Sequence, residues 1–115
     1  MQVVFLVFTL GMLYELNFMI RIVKMTFDPL KTEEFLSIFN EVKHHIRNFD
    51  GVEHLSLLRD TKNPNIFFTY SHWKSEQHLE NYRNSELFKT VWAKTKTLFI
   101  SKPDAWSVET TIKLD

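Results

Sequence analysis

Cysteine is absent from this 115-residue chain, and with it go disulfide crosslinks, a thiolate nucleophile and any Cys-ligated zinc or iron–sulfur cluster. Glycine is nearly absent too. Gly11 and Gly51 are the only two, too few for a glycine-rich phosphate loop, so nucleotide or flavin binding through such a motif is unsupported. Neither sign of charge prevails: 14 Lys and Arg balance 14 Asp and Glu, which leaves no overall field to attract nucleic acid or an anionic membrane. The uncharged run from Val3 to Tyr14 has 12 residues, short of the ~20 that a membrane-spanning helix needs. No stable membrane span is expected.

What the chain has in quantity is bulk. Hydrophobic residues make up 44% and aromatics 15%, including 11 Phe, a composition that folds rather than staying disordered. The length fits one domain. Residues 1–18 read differently from the rest, as a hydrophobic N-terminal extension or an overcalled start. The run lacks a preceding Lys or Arg and a small-residue cleavage site, which argues against an export signal. An export or membrane signal and an integral strand or helix are the alternatives. The domain is expected over 19–115, and the protein is expected to be cytoplasmic.

From Met19 the pattern resolves into elements. Met19 to Phe27 reads as a strand, and Asp28-Pro29 as a helix start, with Asp as N-cap and Pro in the first turn. Phe35, Phe39, Val42, Ile46 and Phe49 follow at helical spacing until Asp50-Gly51 stops the helix. Val52 to Asp60 and Ile66 to Trp73 read as two strands of an antiparallel hairpin. Ser75 caps a second helix carrying Leu79 and Tyr82, and Ser85 caps its continuation through Phe88, Val91, Trp92, Thr95 and Phe99. Ala105 to Lys113 alternates as a last strand.

The order β-α-β-β-α-β is that of an α+β, ferredoxin-like domain with a four-stranded antiparallel sheet. Two helices cover one face of such a sheet, yet Ile66, Phe68, Tyr70 and His72 alternate with Phe67, Thr69, Ser71 and Trp73, putting aromatic surface on both faces. A second copy of the same sheet is the simplest cover for the bare face, so a homodimer is expected.

The stretch Phe67-Phe68-Thr69-Tyr70-Ser71-His72-Trp73-Lys74-Ser75-Glu76-Gln77-His78-Leu79, followed by Tyr82-Arg83-Asn84-Ser85-Glu86-Leu87-Phe88, resembles the strand-to-helix segment of the antibiotic biosynthesis monooxygenase family. The resemblance spans roughly Met19 to Lys113 and implies a dimeric α/β barrel, with a pocket in each subunit between sheet and helices. Some members of that family oxidise polycyclic phenols or quinols with O₂ and neither metal nor flavin, some degrade haem, and many have no established activity. The haem-degrading branch requires an Asn, a Trp and an axial His where this chain carries Val23, Tyr82 and Trp92. An indole nitrogen only donates, so it cannot ligate iron. No haem, metal or other cofactor is expected.

Five residues are candidates for chemistry. The resemblance places Trp73 at the aromatic of the family's W-x-S turn, as either a flank for a planar substrate or the packing residue of that corner. Tyr82 and Trp92 lie on the inner faces of their helices, where they line a pocket or are simply core. His72 shares a strand face with Phe68 and Tyr70, with His54 a neighbour on the adjoining strand. A neutral imidazole there is either a general base for a phenolic proton or a hydrogen-bonded structural residue. Thr69 falls near the polar strand residue that polyketide-oxidising members use. Glu41, His44 and His45 invite a metal reading, with Glu41 and His45 four apart on one helical face, but the adjacent His44 points about 100° away from His45 around the helix and no third ligand is identifiable. The expected activity is a cofactor-independent monooxygenase acting on a small aromatic molecule, a quinol or phenol, with His72 as proton acceptor and Trp73, Tyr82 and Trp92 holding the ring. A non-catalytic dimeric small-molecule-binding or stress-response protein is the alternative.

Overall fold

A computed structural model describes residues 18–115, and the segment Val3 to Tyr14 lies outside the described residues. Strand β1 (Met19–Thr26) is followed by a 3₁₀ turn at Pro29–Lys31 and helix α1 (Thr32–Arg47). Asp28 accepts from the Leu30 N–H at 2.9 Å, so the Asp-Pro pair does open the helical region, through one tight turn before the α-helix proper. Strands β2 (Val52–Arg59) and β3 (Ile66–Trp73) form the hairpin. Helices α2 (Glu76–Arg83) and α3 (Glu86–Thr95) begin at Ser75 and Ser85, whose hydroxyls accept from the N–H groups of His78 and Phe88. Strand β4 (Asp104–Val108) completes one four-stranded antiparallel sheet in the order β2-β3-β1-β4. This is the ferredoxin-like arrangement expected from the element order.

One strand ends early. The alternation predicts β4 through Lys113, but it stops at Val108. Among the described residues its only sheet neighbour is β1, and the register pairs Val108 with Ile20, one residue from the start of β1 at Met19. Beyond that point β4 has no partner backbone among the described residues, and the extended pattern of Thr110 and Ile112 has no described ladder to join.

All helices cover one face. That face receives Val23, Met25 and Phe27 from the first strand and its continuation, and Phe67 and Trp73 from β3, as period-two alternation demands. Two groups of buried side chains result. One gathers Met25, Phe27, Phe35, Phe67 and Leu98, with Phe27 stacked on Phe35 at 4.1 Å between ring centroids. The other joins Val52, Trp73 and Leu79, with Phe49 and Tyr82 packed against it.

The corner between α1 and β2 holds these layers at close range. Gly51 has φ +95°, a left-handed conformation that favours glycine, and its carbonyl accepts from the Lys74 N–H at 2.8 Å. A Cβ at this position would stand 2.4 Å from the Cβ of His78, which α2 cannot swing aside as it could a flexible side-chain tip. Gly51→Ala therefore combines backbone strain with a clash, and we expect a loss of about 2 kcal/mol or more, lowering the thermal midpoint by roughly 8–16 °C. A melt within ~2 °C of the parent would show that the corner relaxes freely.

Candidate active site

Between the two buried groups the helical layer leaves a cavity of about 300 Å³, at the small end of ligand pockets. Its floor is sheet: Val23, Met25, Thr69, Ser71 and Trp73. Its roof is helix: Phe35, Phe39, Leu79, Tyr82, Phe88 and Trp92, with Arg21, Arg83 and Thr95 adding polarity. Of the five residues singled out from the sequence, Thr69, Trp73, Tyr82 and Trp92 meet at this one cavity.

His72 does not join them. It alternates with Ser71 and Trp73, so the sheet itself stands between its ring and the cavity. Its neighbours are instead Phe18, stacked at 4.4 Å, His54 at 4.9 Å and Tyr70 at 5.2 Å between centroids. Its Nε2 is buried without a hydrogen-bond partner among the described residues, and burial, then the nearby His54, lowers its pKa. Within a single chain His72 therefore lies apart from Thr69, Trp73, Tyr82 and Trp92, through the same alternation that put Trp73 inside.

Each of the four has a distinct environment. Trp73 is 2% exposed, and its indole N–H donates to Ser71 Oγ at 2.9 Å. Such full burial with a satisfied donor makes it a wall and corner residue. Tyr82 lies against Trp73, Phe49 and Phe88, each ring centroid at 5.2 Å. Burial pushes its phenol up to about 12, so Tyr82 keeps its proton near neutral pH and acts as a neutral donor, not as a base. Trp92 stacks on Phe88 at 5.7 Å and meets Phe99 edge-on at 5.5 Å. Thr69 pairs with Val23 on one side and Leu57 on the other.

Sequence reasoning missed Arg21. It sits on the cavity wall, paired in register with Ser71 and Ser107, and donates to Ser107 Oγ at 2.9 Å. The signal was its phase: Arg21 shares the period of Val23 and Met25, the inward positions of β1. Among the described residues no His, Asp or Glu lines the cavity, while Glu41, His44 and His45 are exposed on α1.

The model of the antibiotic biosynthesis monooxygenase family matches residues 18–94. The chain belongs to that family. Solved structures agree on the fold. A candidate antibiotic biosynthesis monooxygenase from Nitrosomonas europaea superposes with a TM-score of 0.78 at 14% identity, over 83% of this chain and 91% of that one. A conserved protein from Methanosarcina mazei gives 0.77 at 20% identity, over 83% and 95%. A candidate antibiotic biosynthesis monooxygenase from Caulobacter crescentus gives 0.77 at 16%, over 90% and 99%. No curated protein matches the chain. Within this antibiotic biosynthesis monooxygenase fold, the three positions aligned with the haem-degrading branch, Val23, Tyr82 and Trp92, all lie on the cavity wall. The wall supplies no His for an axial ligand, so these residues do not fit that branch.

The raised Tyr82 pKa has a measurable sign. Below the ordinary tyrosine value of ~10, folded and unfolded chains are both protonated, and the stability from burying the neutral phenol is complete. Between ~10 and about 12 the unfolded chain ionises first, and stability falls by up to about 1.4 kcal/mol per pH unit. Denaturant unfolding at ~pH 9 and ~pH 11.5 is expected to show this fall in the parent and a shallower one in Tyr82→Phe. Equal slopes would mean that Tyr82 is not buried as described.

Proposed function

We propose that this protein is a cofactor-independent monooxygenase that oxidises a small quinol or phenol, working as a homodimer. The observation that carries the reading is the cavity: about 300 Å³, walled by Phe39, Phe88, Trp73, Tyr82 and Trp92, with a few polar groups on one side. Flat aromatic walls favour a flat apolar guest, and the few polar groups fix its orientation. Membership of a monooxygenase family supplies the reaction class.

The chemistry asks little of the protein. An ionised phenol transfers an electron to O₂, the two radicals combine at a ring carbon, and loss of water leaves a quinone, so that one oxygen atom enters the product and the other leaves as water. The protein's part is to hold the ring, exclude bulk water and stabilise the anion. His72 has no place in this reaction within one subunit, because it faces away from the cavity. A second reading, a non-catalytic binding module, is favoured by one observation: no His or carboxylate among the described wall residues is available to accept the phenolic proton.

Oxygen consumption by metal-free protein with a panel of dihydroquinones and phenols separates the two. We expect uptake that falls at least ~10-fold in Tyr82→Ala and in Trp92→Ala, because both walls position the ring. No uptake with any compound would leave only the binding module, and parental rates in both variants would place turnover outside this cavity.

The dimer rests on the sheet face that no described helix covers. Ile22, Phe68 and Tyr70 stand there beside Leu58 at 48%, Trp106 at 46% and Val108 at 41% exposure, a continuous apolar surface larger than isolated surface residues account for. A second sheet is its simplest cover. Light scattering at micromolar concentration is expected to give the mass of two chains for the parent and of one for Trp106→Glu. A monomeric parent would exclude this arrangement.

A further inference from the structure

Arg21 stands where an unpaired charge is costly. A guanidinium partly withdrawn from water onto an apolar wall calls for a counter-charge or a full set of hydrogen bonds. The Arg21 guanidinium has five donors, and among the described residues its one hydrogen bond goes to the neutral Ser107 Oγ. Neither ion pair among the described residues involves it: Glu80 pairs with Arg83 at 2.9 Å, and Asp50 lies 3.8 Å from His78.

The groups around Arg21 do not fill the gap. Its strand neighbours in register are Ser71 and Ser107, both uncharged. From α2 it feels Arg83, Glu80 and Glu76. Burial and then the Arg83 charge lower its pKa, and the two glutamates oppose them. Glu80 is already engaged by Arg83, and neither glutamate lines the cavity. Arginine keeps its charge throughout the working range. A cation therefore faces an aromatic cavity with donors to spare, in a wall that also carries the Tyr82 phenol, which makes no hydrogen bond to the described residues and is itself a neutral donor.

We propose that the cavity takes its ligand as an oxyanion on a planar apolar body, an ionised phenol or enol, and that Arg21 holds that charge. The inference rests on the reading of the cavity as an aromatic-substrate site and deepens it. It also accounts for a wall without a base. The phenol gives its proton to solvent, and the guanidinium stabilises the anion left behind, so ionisation comes from electrostatics and not from a side-chain acceptor. An aromatic carboxylate presents the same anionic oxygen, and the test distinguishes the two sources.

The probe is 4-nitrophenol, whose neutral and ionised forms absorb at different wavelengths. Bound to the parent protein, it is expected to ionise at a pH about one unit or more below its value in solution, with nitrobenzene as neutral control and benzoate as carboxylate arm. Arg21→Gln is expected to weaken 4-nitrophenolate binding about tenfold or more while nitrobenzene binding stays within ~2-fold. Arg21→Lys, which keeps the charge and loses the planar fork, is expected to fall between them. Arg21-dependent binding of benzoate in preference to the phenolate would assign the anion to a carboxylate and overturn the phenolate form. An unshifted ionisation in the parent, a measurement that needs no variant to fold, would overturn the proposal, as would equal losses for charged and neutral probes. Turnover of quinols with Arg21→Gln as active as the parent would sink this inference and leave the monooxygenase reading standing. An Arg21-dependent shift without oxygen uptake would do the reverse.

Discussion

The two-residue period of β3 is the constraint on which the rest of the molecule depends. Phe67, Thr69, Ser71 and Trp73 face the helices, and Phe68, Tyr70 and His72 face away. β3 is an inner strand, hydrogen-bonded to β1 and β2 along its length, so a slip by one residue would exchange the contents of both faces at once. Phe67 would leave the core it shares with Phe27 and Phe35, and Trp73 would lose the Ser71 hydroxyl that satisfies its indole. The cavity floor and the bare aromatic face are thus two consequences of one register. The Gly51 corner fixes that register from outside, because its carbonyl receives the N–H of Lys74, the residue that follows the strand.

Much of this was legible residue by residue, for local reasons. Ser75 and Ser85 sit three residues before the N–H groups they accept from, and a cap of that kind depends on nothing distant. Gly51 follows a long amphipathic helix and takes the positive φ that its position suggests. What failed was non-local. The alternation from Ala105 to Lys113 is a sound strand pattern, but a strand also needs a neighbour, and where β1 begins decides where β4 ends. His72 was given the proton-acceptor role for its imidazole chemistry, while the strand alternation already put it on the face opposite Trp73. Arg21 went unremarked because a charged residue in a strand suggests solvent; its phase with Val23 and Met25 gave the opposite answer.

The composition of the cavity wall narrows the kinds of catalysis open to it. General acid–base catalysis needs a group that titrates near the working pH. Tyr82, pushed up to about 12, is several units away, and the described wall offers no imidazole or carboxylate. Positioning and charge stabilisation are what such a wall can supply. Both gain from the same surroundings, since aromatic walls that exclude water also lower the local dielectric and strengthen a guanidinium's hold on an anion. An electron-rich phenolate that reacts directly with O₂ is the kind of substrate for which those two contributions are sufficient.

An apolar cavity in so small a domain has its own energetic cost. Wall atoms without neighbours forgo dispersion contacts, and cavities destabilise by roughly 24 cal/mol per Å³ where the surroundings do not collapse. Here collapse is resisted from both sides. The floor is tied into the sheet, and the roof is held by a chain of ring contacts that runs from Trp73 on the floor through Tyr82 and Phe88 to Trp92 and Phe99. A domain that keeps this space open forgoes stability that simple closure would return, and a ligand that fills it restores part by mass action, as RT ln(1 + [L]/Kd). Stability and binding are therefore the same property of these residues. A substitution that shrinks the cavity, such as a larger side chain at Thr69, would stabilise the free protein to the extent that it fills the void without strain, and would weaken ligand binding by occupying the same volume.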